Sequence, residues 1–182
     1  EELTVTKRIL VTGGQGQIGL ELARLSWPAD VKAYFPTRDE LDLCERHSIS
    51  RYFDNTDWSA LINCAAYTAV DKAEDEPGLA FLANAQGPAW LADTCRKRGI
   101  PLIHVSTDYV FAGEGPGYYC EHDRTDPVGV YGSSKLSGEL AVTRGNIRTV
   151  VLRTAWVVSA HRSNFLKTML RVAANEKKLK VV

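Results

Sequence analysis

Short apolar runs rich in β-branched residues alternate along the chain with longer stretches whose apolar positions recur at helical spacing. The runs predict strands over residues 8–12, 31–35, 60–64, 102–106, 149–153 and 179–182. The helical spacings predict helices over 17–25, 45–53, 78–98, 133–143 and 165–175. Pro28, Pro36, Gly99 with Pro101, and Gly145 with Asn146 fall between these elements, where chain-breaking residues belong. Strand–helix alternation builds a parallel sheet with helices on both faces. The near-continuous run Leu102-Ile103-His104-Val105 fits a central strand buried on both sides.

The first predicted strand ends in Thr12-Gly13-Gly14-Gln15-Gly16-Gln17-Ile18-Gly19, and a helical pattern follows. A strand, a glycine turn and a helix in this order form the context in which such glycines matter. They allow a tight turn and let the backbone approach a pyrophosphate closely, with free N–H groups at the start of the helix. A Rossmann-type, doubly wound α/β sheet that binds a dinucleotide is therefore expected. Ligands in such sheets sit beyond the carboxyl ends of the strands. Arg38 follows the second strand, Ala66 to Thr68 the third, Thr107 and Asp108 the fourth, and Trp156 the fifth. An acid at the end of the second strand selects NAD, whereas an arginine there accepts a 2′-phosphate. Arg38 therefore tilts the expectation toward NADPH, with NADH as the alternative.

Tyr131 and Lys135 are four residues apart and stack on one helix face. An ammonium beside a phenol lowers the phenol's pKa, and a phenol so tuned exchanges protons with a substrate oxygen. Taken alone, this spacing also arises on ordinary amphipathic helices.

Composition narrows the field without naming a chemistry. The 182 residues are 45% apolar and 24% charged, with 22 basic and 22 acidic side chains, as in an ordinary globular domain. Neutrality gives no electrostatic footprint for nucleic acid or an anionic membrane. Cys44, Cys64, Cys95 and Cys120 show neither zinc-ligand nor disulfide spacing. With no signal peptide or long apolar run, the cytoplasm is the expected location. The four histidines share no spacing, and His104, inside a strand, reads as a satisfied core residue. The cluster Asn175-Glu176-Lys177-Lys178 reads as a solvated helix end.

Together these pieces resemble the extended branch of the short-chain dehydrogenase/reductases, and within it the dTDP-4-dehydrorhamnose reductase family. The residues that carry the resemblance are the glycine turn, the run from Asn63 through Ala66-Tyr67-Thr68 to Glu74, Ser106-Thr107-Asp108-Tyr109-Val110-Phe111, Tyr131 to Glu139, Arg153-Thr154-Ala155-Trp156-Val157, and Asn164 to Leu170. The resemblance implies NADPH-dependent reduction of a 4-keto sugar carried on a nucleotide. It makes Thr107, Tyr131 and Lys135 the catalytic set. It places the cofactor on Gly13, Gly16, Gln17, Ile18, Gly19, Arg38, Asp42, Leu43, Ala66, Tyr67, Thr68, Tyr131 and Lys135. Thr107, Asp108 and Trp156 would face the substrate. Glu21 matches an acidic position that some members use for a metal between subunits, but one helix-face carboxylate supports no metal here. A homodimer stays open. Residues 1–7 are expected to be an extension or linker and 8–182 the nucleotide-binding domain. The strand-like end at Val182 implies a fragment, with the lobe that shapes the sugar-nucleotide site missing.

Two other readings stand beside this one. An extended-family epimerase or dehydratase would regenerate its cofactor, and a dehydratase commonly carries Asp-Glu after the threonine, where this chain has Asp108-Tyr109. A non-catalytic nucleotide-bound subunit would keep the fold without the chemistry.

Overall fold

The computed structural model describes residues 6–54, 56–114 and 117–174. Five strands, β1 (Lys7–Thr12), β2 (Val31–Tyr34), β3 (Ala60–Asn63), β4 (Leu102–Thr107) and β5 (Thr149–Thr154), form one parallel sheet in the order β2-β1-β3-β4-β5. Each starts within one residue of its predicted position. The order reverses direction between β1 and β3. With right-handed crossovers this puts the connections on opposite faces and opens a crevice at the reversal. The strand read at 179–182 and the charged cluster at 175–178 lie outside the described residues.

The helices are α1 (Gln17–Ala23), α2 (Arg46–Asp54), α3 (Val70–Asp75), α4 (Pro77–Phe81), α5 (Gly87–Arg98), α6 (Val130–Gly145) and α7 (Phe165–Ala173). The helix expected over 78–98 runs without interruption from Pro77 to Arg98, with a π turn inside it, and α3 precedes it. Glu76 leaves the helical region at φ −122°, as a residue before proline tends to, and Pro77 starts α4. Between α4 and α5, Leu82–Gln86 form a π-helical turn. Pro88 has no N–H and its ring crowds the carbonyl four residues back, so the extra residue of a π turn relieves Asn84. α5 then stops at Gly99, a left-handed residue at φ 67°.

The core joins Leu10, Leu61 and Leu102 from the sheet to Ile49 and Phe53 of α2, Leu91 and Cys95 of α5 and Val142 of α6. α6 and β5 are also tied by charge. Glu139, 5% exposed, takes Arg153 in a two-point pair, Nη2 to Oε2 at 2.6 Å and Nε to Oε1 at 3.0 Å. The guanidinium also lies 4.9 Å from the Phe111 ring. This pairing gives two of the sequence blocks, 131–139 and 153–157, a shared structural reason. No described helix is long and apolar enough to cross a membrane.

Candidate active site

The crevice between β1 and β3 has a volume of about 680 Å³, within the range of small-molecule sites. Gly13, Gly16, Gln17, Ile18, Arg38, Asp42, Leu43, Ala66, Tyr67 and Thr68 all line it, so these expected cofactor positions are brought together. Gly19 is not at the surface of the crevice. A Cβ there would strike the Gly13 carbonyl, so Gly19 lets α1 sit against the turn. Gly13, at φ 72°, brings β1 so close to the β3 exit that a Cβ would lie 2.6 Å from Ala65 N.

The crevice floor is held by a buried polar relay. Thr12 donates to Asn63 Oδ1 at 2.6 Å, and Ala65 N–H donates to the same oxygen at 3.1 Å. That fixes the Asn63 amide so that its NH₂ faces His104 Nδ1 at 2.9 Å. His104 is therefore an acceptor at Nδ1, and its Nε2 meets no hydrogen-bond partner among the described residues. Burial, with the nearby Lys135 charge second, drops its pKa to about 3. The histidine is buried as expected but only half satisfied.

Arg38 lines the crevice, yet it is not free. Its Nε donates to Asp42 Oδ2 at 3.1 Å. Burial alone would raise the Asp42 carboxyl, but the Cys44 amide and Arg38 hold it below its usual value. The acid missing from the strand end thus returns one turn later, beside the arginine.

The second half of the site stands at the end of β4. Thr107, 7% exposed, accepts from Tyr109 N–H at 3.2 Å and donates to Asp108 Oδ1 at 3.1 Å. The Tyr131 and Tyr109 rings meet edge to face, 5.5 Å apart. Lys135 is 2% exposed, and its Nζ donates to Val105 O at 2.7 Å. Here the structure corrects the sequence reading of the tyrosine. Burial raises the Tyr131 pKa above that of an ordinary phenol, and the Thr107 hydroxyl only partly offsets this. Lys135 turns toward the Val105 carbonyl and is itself pushed down to about 8 by burial. Its charge does not lower the phenol. Asp108 is exposed beside this cluster. Trp156 is 70% exposed, left-handed at φ 52°, and packs edge-on against Phe165 at 4.7 Å rather than lining the crevice. Cys64, on the crevice wall, is raised to about 11 by burial and stays a thiol.

Three contributors were not legible from spacing. Asn84, fully buried in the π turn, exchanges bonds with Tyr67 N–H (2.8 Å) and Tyr67 O (3.0 Å) and donates to Ser134 Oγ (3.0 Å). It ties the crevice loop to the Tyr131–Lys135 helix. The π turn that places it was hinted at only by Pro88. Glu74 of α3 accepts Val130 N–H at 2.8 Å, capping α6 at an N-terminus where Gly129 has no side chain to do so. That cap is why α6 starts before Tyr131 and not at the expected Ser133. Arg162 also lines the crevice, from the middle of the loop after β5, where the sequence pointed to Trp156 but not to this arginine.

A family model described as "RmlD substrate binding domain" matches residues 7–182. The chain is 46% identical to the dTDP-4-dehydrorhamnose reductase of Sinorhizobium fredii, over 96% of this chain and 59% of the relative. It is 42% identical to that of Burkholderia thailandensis, over 96% and 58% respectively. A crystal structure of dTDP-4-dehydrorhamnose reductase from Bacillus anthracis in complex with NADP superposes with a TM-score of 0.91 at 33% identity, over 96% of this chain and 62% of that one. The chain thus spans about 60% of the length of these relatives. With the crevice, the Tyr131–Lys135 helix and the matched span all agreeing, the chain belongs to the dTDP-4-dehydrorhamnose reductase family.

Proposed function

We propose that this chain carries the cofactor site and the proton-transfer residues of an NADPH-dependent reductase acting on the 4-keto group of dTDP-4-dehydro-L-rhamnose. The observation that carries the reading is the juxtaposition of the glycine-lined crevice with Tyr131 and Lys135, spliced together by Asn84. The crevice suits a dinucleotide. Gly13 and Gly16 bare the backbone of the turn, and Arg38, lining the same crevice after β2, would take a 2′-phosphate. When bound, the reduced nicotinamide supplies the hydride, which is the cofactor's chemistry and not the protein's.

The side chains do the rest. Tyr131, kept protonated by burial, donates its proton to the sugar oxygen as that oxygen becomes an alkoxide. Thr107 orients the carbonyl through its hydroxyl, and Lys135 holds the nicotinamide ribose. Asp108 and Trp156 contact the sugar. Ala66, Tyr67 and Thr68 run along the diphosphate and ribose, with Asp42 and Leu43 over the adenine. A cytoplasmic location fits a substrate of this kind.

The test is a stoichiometry. With NADPH and a panel of nucleotide-linked keto sugars, the protein is expected to consume one NADPH per dTDP-4-dehydro-L-rhamnose converted. Conversion without net loss of NADPH would instead identify an epimerase or dehydratase. Tight NADPH binding with no conversion of any sugar would identify a non-catalytic subunit.

A further inference from the structure

The loop between β5 and α7 is laid across the glycine turn and fastened there. Ser159 Oγ donates to Glu21 at 2.7 Å, and Asn164 Nδ2 donates to Gln17 Oε1 at 3.0 Å. Arg162 Nε donates to the Gln15 carbonyl at 2.9 Å. That last bond sets the guanidinium on the glycine turn itself, and Arg162 lines the same crevice as Gln15, Gly16 and Gln17.

Two features separate Arg162 from a surface arginine. Its backbone is left-handed at φ 58°, a conformation that a residue with a Cβ adopts at a cost. Lys167 clamps that conformation by donating Nζ to Arg162 O at 2.8 Å and to Ala160 O at 2.9 Å. Glycine would satisfy the turn without strain, so the side chain has to be worth the cost elsewhere. The second feature is charge. The charged residues lining the crevice are Arg38, Asp42 and Arg162. Arg38 is paired with Asp42, whereas Arg162 has no carboxylate partner among the described residues. A ligand carrying a diphosphate meets this one uncompensated cation at the glycine turn, with the guanidinium's terminal nitrogens still to be used.

We infer that Arg162 is a cofactor-binding residue that grips the dinucleotide's diphosphate from the loop side, opposite the backbone of the glycine turn. This rests on the dinucleotide reading of the crevice. The division of labour follows from the positions. Arg38 discriminates NADPH from NADH at the 2′-phosphate, while Arg162 serves both cofactors equally.

The test uses the whole polypeptide, with binding and thermal unfolding as readouts. In Arg162→Gly the affinities for NADPH and NADH are expected to fall together by about tenfold, the worth of a charge-assisted contact. Affinity for 2′-AMP, which has the 2′-phosphate but no diphosphate, should be unchanged. Tm should hold or rise, because glycine relieves the left-handed strain. Arg162→Lys should fall between the two. Arg38→Ala should show the converse pattern, weakening NADPH and 2′-AMP and sparing NADH. Unchanged dinucleotide affinity in Arg162→Gly would overturn the assignment, as would a loss confined to NADPH and 2′-AMP. A drop in Tm matching the drop in affinity would mean that Arg162 only holds the loop. If the unmutated protein binds neither dinucleotide, the reading of the crevice itself fails, and the inference with it.

Discussion

Tyr131→Phe is expected to leave NADPH affinity within a few-fold and to lower turnover by about 10²- to 10⁴-fold, the usual worth of a positioned general acid. The substitution removes one oxygen and keeps the ring, so the edge-to-face contact with Tyr109 survives and α6 has no reason to move. Burial raises the phenol's pKa, which suits a donor in the reducing direction because the group is fully protonated at neutral pH. The same shift makes the reverse reaction, which needs the phenolate, climb with pH well beyond neutrality. Steady-state rates in both directions, together with a cofactor titration, check this. Turnover unchanged in the phenylalanine variant would remove Tyr131 from the chemistry.

Lys135→Met should make the protein less active and more stable. Lys135 is an ammonium at 2% exposure with one carbonyl partner, and burial brings its pKa from 10.5 to about 8. The folded pKa lies below the unfolded one, so the unfolded chain binds the proton more tightly. The resulting penalty is complete below about pH 8, shrinks as pH rises toward 10.5 and vanishes above that. At neutral pH it amounts to about 3 kcal/mol, partly offset by the bond to Val105 O that methionine gives up. Chemical denaturation should show the methionine variant more stable at pH 7, with the gap closing by pH 10, and turnover lower by about 10²-fold or more. A protein keeps a buried cation of this kind for use, not for stability. A variant that is destabilised at pH 7 and turns over normally would contradict both halves of the argument.

The sequence is most legible where one residue type has one use. Gly13, Gly16 and Gly19 were readable because a strand ran into them and a helix out, and the structure shows that side chains at Gly13 and Gly19 would collide with backbone. β4 was readable because a parallel strand buried on both faces carries an unbroken apolar run, and the edge strands β2 and β5, each half exposed, were readable from their β-branched residues between chain-breaking ones. What escaped depends on distant partners. The start of α6 is set by Glu74, fifty-six residues earlier in the chain. The π turn that begins at residue 82 accommodates Pro88 against Asn84 inside the expected helix, and spacing alone did not show it. The reading that Lys135 lowers the tyrosine pKa failed because spacing says only that two side chains share a helix face. It does not say that the ammonium will prefer the Val105 carbonyl or that burial will dominate the phenol. Arg38 was found, but its pairing with Asp42 was not, since neither spacing nor composition shows which of several nearby acids it meets.

The central claim is that the crevice and Tyr131 act on one sugar carbonyl, and an isotope test addresses it directly. NADPH carrying deuterium at the transferable position of the nicotinamide is incubated with dTDP-4-dehydro-L-rhamnose, and the product sugar is examined by NMR. The account predicts one deuterium at C4 of dTDP-L-rhamnose for each NADPH consumed, and about 10²- to 10⁴-fold less labelled product over the same interval when Phe replaces Tyr131. Product that forms with hydrogen at C4, or with deuterium elsewhere on the ring, would contradict it.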